Sequence, residues 1–431
     1  MMFRLAWFAG QGAAPPAWNK PWSGNIGKDW AKPDHHIDLA RALERGCFDY
    51  LMIEDGSFIT DSYQGRPDYA LRNGWAVPKN EPMSLVPLVG QATKHLGIVA
   101  TITTTFYPPY MAARLGATLD HLTDGRFGFN LVTAHNDRTA QNFGLAKMLD
   151  HSLRYEMAGE WVDVVDRLWH SWDEDAIVDD HENGMFIDPS KVRPIEFEGR
   201  FFKCRGPLNT APGPQRRPVL CQAGGSGPGM DFAAKNADTI IAVVADVADA
   251  KRYRREMDER LISLGRDPKE IKIFYSVSLV FGEVEEEAQE KRRRLDAKAQ
   301  SSIEQWLFEM SFSSAIDFSK FDLDQPLPKL TTNASKSLTA KLNLVEGLTL
   351  RQIASAPHLS GIRFTGTPAT VAAQMGEVME EIGGDGFLMY ESTTRRIVTE
   401  ITEGLCPELQ RRGLIRRDYP YRTLRENLRS F

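Results

Sequence analysis

Short apolar runs alternate with amphipathic segments along most of the chain. Runs at residues 4–8, 48–53, 97–103, 127–132, 219–222, 239–244, 271–281 and 387–390 are almost continuously apolar or threonine-bearing. That composition suits strands buried on both faces. Between them, apolar residues recur at helical spacing over 34–45, 82–94, 110–122, 151–172, 229–236, 248–264, 283–298 and 394–412. Eight strand–helix beats predict an α/β chain folded as a (β/α)8 TIM barrel with long loop insertions. An open doubly wound sheet competes. It is disfavoured because no G-x-G-x-x-G follows the first run, where Gly10-Gln11-Gly12 leads toward prolines.

Local signals sharpen the boundaries. Met157, Trp161, Val164, Val165, Leu168 and Trp172 form one apolar stripe. Pro82 and Pro368 stand where helix starts tolerate proline, and Gly125 where a helix would stop. Asp34 is expected to cap its helix. Three stretches exceed an ordinary barrel loop: about 60–81, 173–217 and 311–361. Residues 195–197 and 201–203 read as a small hairpin inside the second. The whole chain, 1–431, is expected to be one domain carrying these insertions. EVEEEAQEKRRR (283–294) pairs Glu with Arg at i, i+4 and describes a solvated helix face.

Bulk numbers exclude some classes. The 42% hydrophobic and 26% charged content is that of a soluble globular protein, and a net charge of −6 argues against nucleic-acid binding. The four cysteines, Cys47, Cys204, Cys221 and Cys406, have no C-x-x-C spacing, so free thiols are expected, with Cys221 in the core. The start MMFRLAWFAGQG lacks the pattern of a secretory signal, and no apolar stretch is long enough to span a bilayer. A cytoplasmic protein without membrane contact is expected.

Candidate chemistry gathers where strands end. Asp55 follows the second run, in Glu54-Asp55-Gly56, and can accept a hydrogen bond from a ligand or cap the next turn. Thr101 and Thr103 end the third, with Thr104 and Thr105 beyond them. QAGGSGPG (222–229) joins the fifth run to a helix through four glycines, including Gly225, and Ser226. Glycines let a ligand approach the backbone, and helix-start N–H groups favour a phosphate. His151 and Tyr155 share a helical face four residues apart. His35, His36 and His121 sit at helix ends and read as structural. No metal-ligand spacing and no nucleophile motif is present, which points to chemistry supplied by an organic cofactor.

The wording of ATITTTFYPPY (100–110), LDHLTDGR (119–126) and NLVTAHNDRTAQNFG (130–144) resembles the bacterial-luciferase-like flavin monooxygenases. The branch holding the nitrilotriacetate, pristinamycin and dibenzothiophene-sulfone monooxygenases is the most similar. ALERGCFDYLMIEDG, HSLRYEMAGEWVDVVDRLW, PQRRPVLCQAGGS and RRGLIRRDYPYRTLRENL extend the resemblance over nearly the whole chain.

The resemblance implies a TIM barrel using reduced FMN, delivered by a separate NAD(P)H:flavin reductase, and O2. The substrate would be a small organic molecule oxidised at or next to sulfur or nitrogen. Flavin contacts would fall on Asp55, Thr101, His151, Tyr155 and Ser226, with Gly225 beside Ser226 and Asn130 lining the pocket. The chain departs from the family at Ala134, where a serine is usual, and at Trp18-Asn19-Lys20, where W-R-H is usual. Those departures keep in view a flavin-binding barrel without productive turnover, and an F420- or NAD-dependent oxidoreductase on the same scaffold is a third reading. Insertions 60–81 and 311–361 are expected to wall the substrate side through Trp75 and Phe312. The alternative is that these loops cover a small apolar cluster of their own. The arginine-rich end, with Leu424 and Leu428, is expected to pack on the barrel or on a second subunit of a dimer or tetramer.

Overall fold

In the computed structural model, which describes residues 1–10, 18–19, 23–343, 347–355 and 361–431, eight parallel strands close a ring. They are β1 (Arg4–Ala9), β2 (Tyr50–Ile53), β3 (Gly97–Thr103), β4 (Phe127–Val132), β5 (Val219–Gln222), β6 (Thr239–Ala242), β7 (Lys272–Phe281) and β8 (Gly386–Met389). Gly386 pairs with Arg4 on one side and Phe274 on the other, which closes the barrel. Gln11, Gly12, Lys20 and parts of the 311–361 stretch lie outside the described residues.

Strand alternation divides the core. Ala6, Tyr50, Val99, Cys221, Phe274 and Leu388 belong to one buried cluster within the ring. Their neighbours Leu5, Trp7, Leu51, Ile98 and Phe387 belong to the larger cluster shared with the helices. Side chains pointing to opposite faces at successive positions produce that division. The helices include α1 (Asp34–Arg45), α2 (Pro82–Ala92), α3 (Pro109–Leu122), α4 (His151–Trp169), α5 (Gly227–Asn236) and α6 (Val247–Ser263). The expected stripe on α4 is buried at Trp161, Val164, Val165 and Leu168.

Two expectations need correction. Asp34 does not cap α1: Pro33 holds the cap position without a side-chain bond, and Asp34 is the acidic first residue of the helix. There it still complements the helix dipole. An unanticipated outer strand, Ile362–Gly366, pairs with the second half of the ten-residue β7, while the first half closes the barrel on β8. The expected hairpin forms, with Phe197–Glu198 opposite Lys203–Cys204.

Insertions 60–81 and 311–361 meet. Tyr63 and Ala70 share a buried cluster with Phe308, Phe318 and Leu350. The carboxyl-terminal arm packs on its own barrel, with Leu424 and Leu428 buried and Arg416 paired with Asp49 at 2.6 Å. Packing on the barrel, one of the two sequence-based readings of that arm, is therefore present within the single chain. Among the described residues, no helix is long and apolar enough to cross a membrane.

Candidate functional site

Parallel strands aim their carboxyl ends at one face, and a cavity of about 840 Å³ opens there. Asp55, Thr101, Asn130, His151, Tyr155, Gly225 and Ser226 all line it. The β3–β4 register sets Thr101 opposite Asn130. The Asn130 Nδ2 donates to Thr101 Oγ1 at 3.0 Å, and Asn130 Oδ1 is buried with no partner among the described residues. A buried acceptor left open at a cavity wall is suited to a ligand N–H or O–H.

The loop after β5 is built for close approach. Ser226 caps α5, accepting from the Gly229 amide at 3.3 Å. A Cβ on Gly229 would lie 2.9 Å from the Tyr155 hydroxyl, and one on Gly224 would lie 2.4 Å from Gln222 Oε1. Tyr253 fastens the loop by donating to the Gly224 carbonyl at 2.5 Å. Tyr155 reaches the loop from α4, where its ring lies 5.2 Å from that of His151.

Burial tunes the site's titratable groups. Desolvation pushes the Asp55 carboxyl up to about 6, against the pull of Lys79. Desolvation also holds His151 below its usual range, helped by the charges of Lys336 and Arg154. Beside Asp55, Glu54 and Lys79 form an ion pair at 2.7 Å in the cavity wall.

Phe312 lines the cavity, but Trp75 does not. The Trp75 ring packs behind it, 4.5 Å from Phe312 and 5.1 Å from Phe308, in the cluster shared by the two insertions. Phe312 thus stands at the cavity wall, while Trp75 belongs to the loops' own apolar cluster. Trp18 borders a separate depression of about 480 Å³ with Trp30 and Leu71.

Three further cavity residues were not singled out by the sequence reading, although Gln222 opens the glycine loop it named. His135, just past β4, has Nε2 buried and unpartnered and its ring edge-on to Phe58 and Phe312. Gln222 Oε1 is likewise unpartnered. Arg154 lies buried on α4. Extending the survey of strand ends past Asn130 would have found His135; nothing local marks Arg154. His35 and His121 bond Thr393 and the Ala211 carbonyl, in keeping with structural roles. No cluster of three or more metal-ligating side chains occurs among the described residues.

Residues 7–386 match the family described as luciferase-like monooxygenase. The chain is 36% identical over 396 residues to the long-chain alkane monooxygenase of Geobacillus thermodenitrificans, covering 92% of this chain and 86% of that one. It is 34% identical over 412 residues to the dibenzothiophene-sulfone monooxygenase of Rhodococcus erythropolis, covering 93% and 90%. Among solved structures, it superposes on a riboflavin lyase with modified FMN and riboflavin at a TM-score of 0.89 and 28% identity, covering 100% and 96%.

Proposed function

The chain belongs to the luciferase-like monooxygenases, and from that premise we propose that it uses reduced FMN and O2 to oxidise a small organic molecule. The observation that carries this reading is the gathering of open, buried hydrogen-bonding groups around one cavity beside a glycine loop. A separate NAD(P)H:flavin reductase would supply the reduced flavin. Related chains named for an alkane and a sulfone support a substrate that is apolar or bears sulfur; nitrogen compounds belong in the same test.

The donor set fits a flavin. Ser226 and the α5 amino end would hold the phosphate, with Tyr155 beside them, because helix-start N–H groups favour an anion. Thr101, Asn130 and Asp55 would face the polar edge of the ring or the ribityl hydroxyls. When bound, reduced FMN supplies the oxygen-activating chemistry. The protein's task is to bind, orient and exclude water. Phe58, His135 and Phe312 make an aromatic wall, with Phe58 and Phe312 stacked at 5.8 Å, suited to keeping that side dry.

The test is anaerobic titration with reduced FMN, followed by oxygen uptake with a panel of organic sulfur, nitrogen and alkane compounds. Tight flavin binding with substrate-dependent uptake is expected. A folded protein that binds no flavin refutes the reading. Flavin binding that yields only peroxide with every compound favours a binder without turnover.

A further inference from the structure

Two segments of the chain build the outer depression of about 480 Å³. Trp18, Lys28 and Trp30 come from the stretch between β1 and α1, and Leu71 and Arg72 come from the 60–81 insertion. Bonds at two points lock the segments together. Trp18 Nε1 donates to the Asn73 carbonyl at 3.0 Å, and Asn80 Nδ2 donates to the Trp30 carbonyl at 3.3 Å. Gly27 lets the backbone pass close to Trp18, since a Cβ there would lie 3.2 Å from the Trp18 Cβ.

Charge in this depression is one-sided. Asp29, beside Lys28, pairs with Lys32 at 2.9 Å. Asp68, one turn before Arg72, pairs with Arg66 at 2.5 Å, and Arg72 acts on it only at a distance. Each neighbouring acid is thus taken by another cation, and no carboxylate among the described residues lines the depression. The apolar side is equally unfinished: Trp18 is 45% exposed and Leu71 52%, while Ile26 backs Trp30. Flat rings beside two unanswered cations suit a molecule with a flat apolar body and an anionic group.

The wall between this depression and the main cavity is one short stretch, 74–79. Gly74 and Pro78 line the depression, whereas Ala76 and Lys79 line the main cavity. A molecule held outside therefore touches the segment that carries Lys79 into the inner wall.

We propose that this depression is an outer binding site for an organic carboxylate or sulfonate with a flat apolar body, and that the molecule held there is the oxidisable substrate before it passes residues 74–79. The substrate assignment rests on the function proposed above; the anion site does not. An effector that is never oxidised offers the same chemistry from a second source.

The experiment titrates naphthalene-2-sulfonate and its uncharged sulfonamide calorimetrically into the full-length protein, with and without saturating FMN. Wild type should bind the sulfonate with FMN present and prefer it to the sulfonamide about tenfold, the worth of two surface charges. Lys28→Met and Arg72→Met should each weaken the sulfonate about twofold to fivefold, with sulfonamide and FMN affinities nearly unchanged. Both positions are exposed, so these variants keep the fold. Trp18→Ala should weaken both naphthalene ligands. Sulfonate binding that FMN abolishes, or that neither charge variant weakens, overturns the site. In turnover, a KM raised in Lys28→Met for carboxylated or sulfonated substrates, and not for neutral ones, supports the substrate assignment. An unchanged KM overturns that assignment and leaves an effector, read as sulfonate-dependent turnover of neutral substrates that Lys28→Met abolishes. Sulfonate binding by a protein that takes no flavin keeps the outer site and overturns the flavin reading alone.

Discussion

The two ends of the barrel treat buried polarity in opposite ways. At the amino-end face, Arg416 meets Asp49, and Asn427 takes two more of its donors. Asp238 holds both Arg217 and Arg425, and Arg126 fills four acceptors from Gly90, Thr93 and Leu96. Of these arginines, Arg416 and Arg126 each leave only Nε without a partner among the described residues. At the carboxyl-end face, Asn130, His135, His151, Arg154 and Gln222 each bury an atom with no partner among the described residues. One face pairs its buried charges within the chain; the other gathers open polar atoms around a single cavity. Buried polar groups in a folded protein are nearly always satisfied, so a cluster of exceptions marks a binding site.

The largest expected effect breaks the comparison from below. Arg416→Met strands Asp49 without its ion-pair partner and should cost about 3–5 kcal/mol of stability, read by urea unfolding, with flavin affinity of the folded protein unchanged. A loss of flavin binding at full stability would erase the division between the faces.

Next comes Asp55, whose carboxyl is pushed up to about 6 by burial. A raised carboxyl binds its proton more firmly in the folded state, so stability falls as pH rises from the ordinary range near 4 through about 6. Asp55→Asn should therefore stabilise the flavin-free protein at pH 7.5 by on the order of 2 kcal/mol, do little at pH 4, and weaken flavin binding. Thermal melts at both pH values decide it. Equal shifts at the two would deny the site its electrostatic cost.

Ser226→Gly isolates the loop after β5, because glycine is tolerated at a helix cap at a cost of a few tenths of a kcal/mol. Flavin affinity should drop roughly tenfold, the worth of one or two hydrogen bonds, while the melting temperature barely moves. The smallest effect separates the two aromatic neighbours on the insertion side. Phe312→Ala should raise substrate KM about threefold to fivefold, near 1 kcal/mol of apolar contact, with Trp75→Ala closer to wild type. The reverse order would show that the substrate enters behind Phe312.

The strands of the barrel were legible because each is a short apolar run, and the carboxyl-end residues because they stand near the end of such a run or in the loop just after it. Asp55, Asn130 and Ser226 carry that local signature. The outer strand Ile362–Gly366 does not: it has five residues, alternates between buried and partly buried, and borrows its pairing from the overlong end of β7. Arg154 was illegible for a different reason. Its burial depends on Asn333, far away in sequence, and no pattern along α4 says that this arginine faces inward. The Asp34 cap failed because Pro33 had already taken the position.

The pairing of β1 with β8 also bears on how the chain is made. Arg4 leaves the ribosome long before its partner Gly386. At about 5–20 residues per second, β1 waits roughly 20–80 s before both of its edges are covered. During that interval an apolar strand has an open row of backbone donors and acceptors, the arrangement that invites pairing with other chains. Expression yield should therefore respond to elongation speed and chaperone supply more than to the equilibrium stability of the finished barrel.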